Sequence, residues 1–236
     1  YVAARTTRLR LCTCILVLPM RHIVVAAKQA ATLDQLSGGR LVLGVGTGAY
    51  REEYEALFPD ARDARRGVIV DEGMRALRRL FTERRVTFRG HYVHFEEVEC
   101  FPKPVQRPLP IYAGGNHPEV RRRAGELGEG WLPAVLSPEE IARGVEDVRR
   151  AAEQAGRDGS TIDIAPQFAV SIGRTHEEAL KRFHASQLYK HLESLRTTTL
   201  RDQTGGWEQR NLIGSPDAIS ERIRAYQKVG VTTLAG

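Results

Sequence analysis

The sequence predicts an α/β fold with a parallel sheet, of the (β/α) barrel type. Short apolar strands alternate with longer segments of helical periodicity along the whole chain of 236 residues. Glycine-rich loops follow two of these strands, at the end where (β/α) barrels build their active sites. Composition stays uniform, so one domain covering residues 1–236 is expected. Six core strands can be counted, two short of a complete eight-stranded barrel.

The first half of the chain contains two core strands, two helices and a hairpin. Glycine after Ser37 predicts the end of the first helix, because glycine readily adopts a left-handed backbone. The second helix is predicted from apolar residues at i, i+4, i+7 and i+11, starting at Val70. The predicted elements are a strand Leu9–Leu18, a helix Ile23–Leu36, a strand Arg40–Val45, a helix Arg62–Thr82 and a hairpin over 86–95.

The second half repeats the same alternation four times. Prolines return the chain to a third core strand, and Pro118 and Ser137 mark the starts of two helices. A polar segment rich in Thr and Gly, 196–210, is predicted to be a mobile loop. The predicted strands are Pro110–Ala113, Gly130–Pro133, Asp163–Ile172 and Val231–Ala235, with later helices over His176–Leu195 and from Pro216.

Composition narrows the class of protein. No apolar run approaches the roughly 20 residues that span a bilayer, so no membrane partner is expected. The net charge is +6, but most of the 30 arginines lie among acids on helical faces, which indicates solvated surfaces and not a nucleic-acid site. The three cysteines lack the spacing of a zinc site or a CxxC pair, so no metal is expected. Unpaired thiols and the lack of a signal peptide predict a cytoplasmic protein.

Two glycine-rich strand ends are the candidate ligand sites. Gly44–Ala49 fits the dinucleotide pattern G-x-G-x-x-G/A, but the acids about 20 residues later lie inside a helix, which disfavours a Rossmann fold. Glycines 44, 46 and 48 are instead expected to let the backbone approach a ligand, beside the Thr47 hydroxyl. The second site, Ile111–Asn116, runs into a helix N-terminus that favours phosphate. Together they predict a phosphorylated cofactor bound across two strand ends.

Several long motifs resemble those of the bacterial luciferase-like monooxygenase superfamily, and most of all its coenzyme F420-dependent branch. They occur in the same order from residue 7 to residue 235. They are Thr-Arg-Leu-Arg-Leu-Cys-Thr at 7–13, Ala-Thr-Leu-Asp-Gln-Leu-Ser-Gly-Gly-Arg-Leu at 31–41, Gly-Val-Gly-Thr-Gly at 44–48, Glu-Glu-Tyr-Glu-Ala at 52–56, Lys-Pro-Val-Gln-Arg-Pro-Leu-Pro-Ile-Tyr-Ala-Gly-Gly at 103–115 and Leu-Gly-Glu-Gly-Trp at 127–131.

The resemblance implies an eight-stranded barrel that binds F420 or FMN at its C-terminal face. The first two β/α units would then be absent from this chain. Members often have a Gly-Thr-Gly bulge with a non-proline cis peptide where this chain has Cys12-Thr13-Cys14. The implied cofactor-binding residues are Thr13, Cys14 and Ile15 against the ring, Gly46, Thr47 and Gly48 beside the ring, and Gly114, Gly115 and Asn116 at the phosphate.

Individual residues restrict the chemistry without identifying a catalytic group. Ala49 stands where F420-dependent sugar-phosphate dehydrogenases of the family carry a catalytic glutamate, which argues against that activity. His22 is expected either near the cofactor or in an exposed loop, and Trp131 in the core or the pocket wall. Arg40 is expected to pair with a carboxylate at a helix end. His184 and His191, a heptad apart, are expected on one helix.

The function predicted first is hydride transfer between F420 and a small organic substrate by a homodimer. One alternative is an FMN-dependent monooxygenase that uses reduced flavin and oxygen. Another is a flavin-fold protein that binds without catalysis. Substrate recognition is expected from the absent first strands, the 86–95 hairpin and the 196–210 loop.

Overall fold

The computed structural model describes residues 1–195 and 206–236. Its helices are α1 (Val2–Arg5), α2 (Ile23–Ser37), α3 (Arg51–Leu57), α4 (Arg66–Thr82), α5 (Pro118–Leu127), α6 (Pro138–Gln154), α7 (His176–His184), α8 (Gln187–Leu195) and α9 (Pro216–Lys228). Its strands are β1 (Leu11–Cys12), β2 (Leu16–Val17), β3 (Leu41–Gly46), β4 (Val86–Arg89), β5 (His94–Val98), β6 (Ile111–Gly114), β7 (Gly130–Leu132), β8 (Asp163–Ile164), β9 (Val170–Ile172) and β10 (Leu212–Gly214).

The main sheet is parallel and its strands follow chain order, which confirms the predicted α/β class. The order is β1-β3-β6-β7-β8, and β2 also pairs with β3. Helices connect successive strands, as parallel pairing requires. Beyond β8, isolated parallel bridges join Gln167 to both Ala134 and Ala235. The sheet therefore forms an open half-barrel, with the segment that contains Ala235 after its last strand.

Three predicted strands differ from the observed ones. The first is interrupted over 13–15, because Thr13 turns its hydroxyl to the carbonyl of Gly44, 2.8 Å away. The fifth is divided into β8 and β9 around Pro166, which cannot donate a ladder hydrogen bond. The segment β9 pairs instead with β10, a strand that the sequence did not predict. The last predicted strand, Val231–Ala235, forms only an isolated bridge, between Ala235 and Gln167.

Helix boundaries follow the predicted signals where capping is strong. Gly38 ends α2 in a left-handed conformation with φ 68°, and Ser137 starts α6 through a reciprocal capping box with Glu140. The helix predicted over His176–Leu195 is two helices, because the Ser186 hydroxyl caps a new start by accepting from Tyr189 N at 3.0 Å. The short helix α3 was not predicted.

The segment 196–210 lies mainly outside the described residues, which resume at 206. Its described end is packed: the Trp207 side chain is 3% exposed and its indole N–H donates to Glu193 at 3.0 Å. The mobility of the segment stays a prediction. None of the helices in the described ranges is both long and apolar enough to cross a bilayer.

The core lies on both sides of the sheet. Side chains that share the inner, concave side of the half-barrel are Val42, Tyr112, Leu132 and Ala165, with Ile15 and Ala235 packed against them. Arg40 ties the start of β3 to the N-terminal segment, but not as predicted. Its guanidinium donates to the carbonyls of Ser37, Leu9 and Ala3, not to a carboxylate, because the helix end offers unpaired carbonyls.

The β4–β5 hairpin is fastened to α4 by one carboxylate. Glu72 accepts hydrogen bonds from the backbone N–H groups of His91, Tyr92 and Val93 at 2.8–2.9 Å. Burial raises the pKa of Glu72, but the three donors outweigh it, so its pKa lies below the usual value. The ionised form is therefore preferred in the folded state.

Glu72→Gln is expected to destabilise the protein at neutral pH, and the difference from wild type should shrink in acid. The stabilisation is present above the unfolded-state pKa of about 4.3 and is lost as pH falls through the lower folded-state pKa. Urea unfolding of both proteins between pH 7 and pH 3 measures it. Glu53→Gln, at an exposed position of α3, is the control and should show no such trend. A Glu72→Gln effect of constant size across this range would contradict the prediction.

Candidate functional site

Six of the nine residues predicted to hold a cofactor lie at the carboxyl ends of two neighbouring strands. Parallel pairing sets Val17 opposite Gly46 and Val45 opposite Ala113, so the carboxyl ends of β2, β3 and β6 are adjacent. The residues at the ends of β3 and β6 therefore come together, as expected for a (β/α) barrel. The other three, at 13–15, stand between β1 and β2 alongside β3.

Ile15 lies across the glycines of the two neighbouring strands. A Cβ atom on Gly46 would come within 2.6 Å of Ile15 Cδ1, and one on Gly114 within 2.4 Å of Ile15 Cγ2. The peptide bond between Cys14 and Ile15 is cis. The half-buried Ile15 side chain thus forms an apolar platform over the strand ends.

This arrangement corrects the expected role of the glycines. They were predicted to let a ligand approach the backbone, but their missing side chains make room for protein atoms. A Cβ on Gly44 would lie 2.1 Å from the Thr13 carbonyl oxygen, and one on Gly48 would lie 2.8 Å from Val17 Cγ1. The glycines of β3 therefore accommodate the segment that carries Ile15.

The loop after β3 is held by an arginine that no sequence motif marks. Arg66, at the start of α4, donates from Nη1 to the carbonyl of Thr47 at 3.1 Å and reaches those of Gly48 and Tyr50 at 3.5 Å. Burial lowers the pKa of Arg66, and the positive charge of Arg51 adds to the effect. These contacts hold the loop after β3 in place.

The predicted phosphate site has two backbone donors. No described residue offers an acceptor to the N–H groups of Asn116 and His117, which precede the ten-residue helix α5. The Asn116 side chain is used for structure: its Nδ2 and Oδ1 bond the backbone of Ala134 at 2.8 and 2.9 Å. Two free N–H groups at a helix start can bind an anion.

Trp131 fixes the same loop from inside the core. It is fully buried, which confirms the core interpretation, and its indole N–H donates to the Gly115 carbonyl at 2.8 Å. Gly115 adopts φ 128°, a conformation that side chains disfavour. The sequence identified Trp131 only as a strand-end residue, and the link to Gly115 depends on tertiary packing.

A cavity of about 680 Å³ runs along the concave side of the half-barrel, within the range of ligand pockets. Cys12, Thr13 and Cys14 line it. Its other end is polar: Arg10 Nη2 donates to the Tyr112 phenol at 3.1 Å, and that phenol donates to Asp163. Burial and the neighbouring carboxylate raise the pKa of Tyr112, which keeps the phenol protonated.

Several predicted residues lie away from this edge. His22 is exposed and borders a separate cavity of about 440 Å³ together with Tyr54 and Phe58. His184 and His191 fall on α7 and α8, which corrects the single helix expected for them. The described ranges contain no cluster of three or more His, Cys, Asp or Glu side chains that could hold a metal ion.

Comparison with known proteins agrees with the geometry. The profile of the luciferase-like monooxygenase family matches residues 1–233. An F420-dependent glucose-6-phosphate dehydrogenase of Kineococcus radiotolerans is 32% identical over 189 residues, 77% of this chain and 54% of that protein. An FMNH(2)-dependent dimethylsulfone monooxygenase of Pseudomonas putida is 28% identical over 258 residues, 98% of this chain and 69% of that protein.

A solved structure supports the fold. The monooxygenase RslO1 from Streptomyces bottropensis superposes with a TM-score of 0.80 at 26% identity, covering 99% of this chain and 72% of that one. The chain spans less than two thirds of the length of several curated relatives. Its strand order, its glycine strand ends and the profile match over 1–233 agree, and the chain belongs to the luciferase-like monooxygenase family of flavin- and F420-dependent oxidoreductases.

Proposed function

We propose that the chain binds coenzyme F420 at the strand-end edge and transfers a hydride between that cofactor and a small organic substrate. The observation that carries the proposal is the Ile15 platform over the glycines of β3 and β6. An apolar side chain held flat at strand ends suits the face of a planar ring. The two free N–H groups at the start of α5 lie at the adjacent strand end and suit its phosphate.

Each residue of the edge has a binding or orienting role. Ile15 supports the ring, and Thr13 and Cys14 line its side of the cavity. Arg66 holds Thr47 and Gly48 in place after Gly46, the last residue of β3, so that the loop does not have to order when the ring binds. The backbone donors of Asn116 and His117 bind the phosphate. When bound, F420 supplies the hydride chemistry, so the protein needs few acid or base groups.

The geometry also supports a barrel with more strands. It is compatible with either F420 or FMN. The open side between β1 and the segment containing Ala235 is where two further β/α units would complete eight strands. The FMN-dependent relative aligns with 98% of this chain, which favours FMN with reduced-flavin oxygen chemistry as the second candidate. The homodimer and the cytoplasmic location stay predictions.

Cofactor titration of the full chain tests the proposal. F420 and FMN are added separately, and quenching of their fluorescence is followed; saturable binding of F420 supports the first candidate and of FMN alone the second. Ile15→Asp should weaken binding about tenfold or more, equal to about 1.4 kcal/mol, because it sets a charge against the ring. Leu36→Asp, 76% exposed on α2, is the matched control. Failure to bind either cofactor would overturn the proposal.

Glucose-6-phosphate is expected not to be oxidised, despite the name of the Kineococcus relative. Ala49 has no side-chain acid or base at the position where the resemblance places a glutamate. The F420-loaded chain mixed with glucose-6-phosphate should show no bleaching of the deazaflavin absorbance. A simple secondary alcohol serves as the comparison substrate. Turnover of the sugar phosphate would show that another residue replaces the glutamate.

A further inference from the structure

Cys12 and Cys14 form a pair of neighbouring thiols at the cavity wall. One residue separates them, so their side chains lie on the same side of the extended chain. Both are exposed and line the cavity, whereas the third cysteine, Cys100, is buried. The Cys14 thiol turns back to the Cys12 carbonyl at 3.9 Å, and the Cys12 thiol donates to the Thr13 carbonyl at 3.5 Å. Both thiols are thus accessible, and the Cys14 thiol lies beside the backbone of Cys12.

The backbone holds the two cysteines close enough to be joined. Thr13 between them is tied to β3 by its N–H, 3.3 Å from the Val42 carbonyl, and by its hydroxyl, 2.8 Å from the Gly44 carbonyl. A fully extended chain separates the Cα atoms of residues i and i+2 by about 6.6 Å. Disulfides form at Cα separations of roughly 4.4–6.8 Å.

We propose that Cys12 and Cys14 are a reversible redox site, in which hydrogen peroxide oxidises Cys14 and Cys12 then closes an intrachain disulfide. The site is a property of the chain itself and does not depend on which cofactor binds.

The opposite pKa directions of the two thiols assign their roles. The neighbouring Cys12 thiol lowers the pKa of Cys14, whereas the Cys14 thiol raises the pKa of Cys12 well above its usual range. Cys14 is therefore the group that ionises, and a thiolate is the nucleophilic form of cysteine. Cys12 keeps its proton until Cys14 has been oxidised.

The reaction balances with peroxide as the only oxidant. The Cys14 thiolate attacks one peroxide oxygen, so an S–O bond forms, the O–O bond breaks, and the leaving hydroxide takes up a proton to become water. Sulfur loses two electrons and becomes a sulfenic acid. The Cys12 sulfur then attacks this sulfur, an S–S bond forms, and the second oxygen leaves as water with the Cys12 proton. Two thiols and one peroxide give one disulfide and two waters.

Peptide mapping of the peroxide-treated full chain tests the site. After one to a few equivalents of peroxide, remaining thiols are blocked with N-ethylmaleimide and the chain is digested with trypsin. The peptide 11–21 contains both cysteines, so the disulfide appears as an unblocked peptide two mass units lighter than the dithiol. Dithiothreitol should restore the dithiol. Cys100 should remain blocked by the reagent throughout.

Single variants separate the two roles. Cys12→Ser should accumulate a sulfenic acid at Cys14 that dimedone traps, and it should react about tenfold faster than Cys14→Ser. Cys100→Ser is the control and should form the disulfide as wild type does. Equal reaction of Cys12 and Cys14 in the single variants, or stable sulfinic acids in wild type without a disulfide, would overturn the proposal. The wild-type peptide map decides the question even if a variant fails to fold.

Discussion

Gly114→Ala should destabilise the fold by about 1–3 kcal/mol, as overpacking of a well-packed site does. The new methyl group would lie 2.4 Å from Ile15 Cγ2 and 3.4 Å from the Val45 carbonyl oxygen, so Ile15 must leave its position. Because we propose that Ile15 supports the cofactor ring, cofactor binding should weaken by about tenfold or more. Urea unfolding measures the first effect and fluorescence titration the second.

A second substitution separates the two effects. Ile15→Ala removes Cγ2, the atom that the new methyl group would overlap, so the double variant should recover part of the stability that Gly114→Ala loses. Its cofactor affinity should stay low, because the platform is gone. Gly67→Ala is the matched control: the added atom meets only Arg123 Nη2, at 3.3 Å, on a helix that favours alanine. Unchanged affinity in Gly114→Ala would contradict the platform, whatever its stability.

The strand order, and the meeting of the glycine-rich strand ends at one edge, could be predicted from the sequence. Both follow from local patterns: apolar strands alternate with periodic helices, and parallel strands bring their carboxyl ends to one edge. The helix caps at Gly38 and Ser137 were also predicted, since capping depends on residues within one turn. These features need no knowledge of which side chains meet across the fold.

The details within the site could not be predicted in this way. That Ile15 lies over Gly46 and Gly114 depends on contacts between residues 31 and 99 positions apart. The same holds for Arg66 beneath the loop and for the use of the Asn116 side chain by Ala134. Motif spacing predicted these glycines and the asparagine as ligand-binding residues. The structure shows protein atoms beside the glycines and Ala134 bonded to the Asn116 side chain, and the ligand contacts stay a prediction.

Asp34→Ala is expected to cost about 1–3 kcal/mol, the range for leaving a buried hydrogen-bonding group without its partner. The Asp34 carboxylate is fully buried in α2. It accepts from the backbone N–H groups of Val105 and Gln106 at 2.8 and 3.0 Å, and from the Gln106 side chain at 2.7 Å. Alanine would leave the two backbone N–H groups without this acceptor, whereas the Gln106 side chain keeps its bond to the Leu41 carbonyl at 2.7 Å. Urea unfolding of the purified variant measures the loss.

Removing the Asp34 carboxylate should also affect the candidate site, because this carboxylate holds the segment that leads into β6. Pro110, four residues after Gln106, already bonds β3 through its carbonyl, 2.9 Å from Leu43 N. Asp34→Asn keeps one accepting oxygen and should lose less than alanine, while Asp60→Ala, at an exposed position, should stay within about 0.5 kcal/mol of wild type. If Asp34→Ala were as stable as Asp60→Ala, the other contacts of the segment, such as those of Lys103 with Leu80 and of Gln106 with Leu41, would be enough to hold it. Gly114 in β6 would then keep its pairing with Leu132 in β7 without the Asp34 carboxylate.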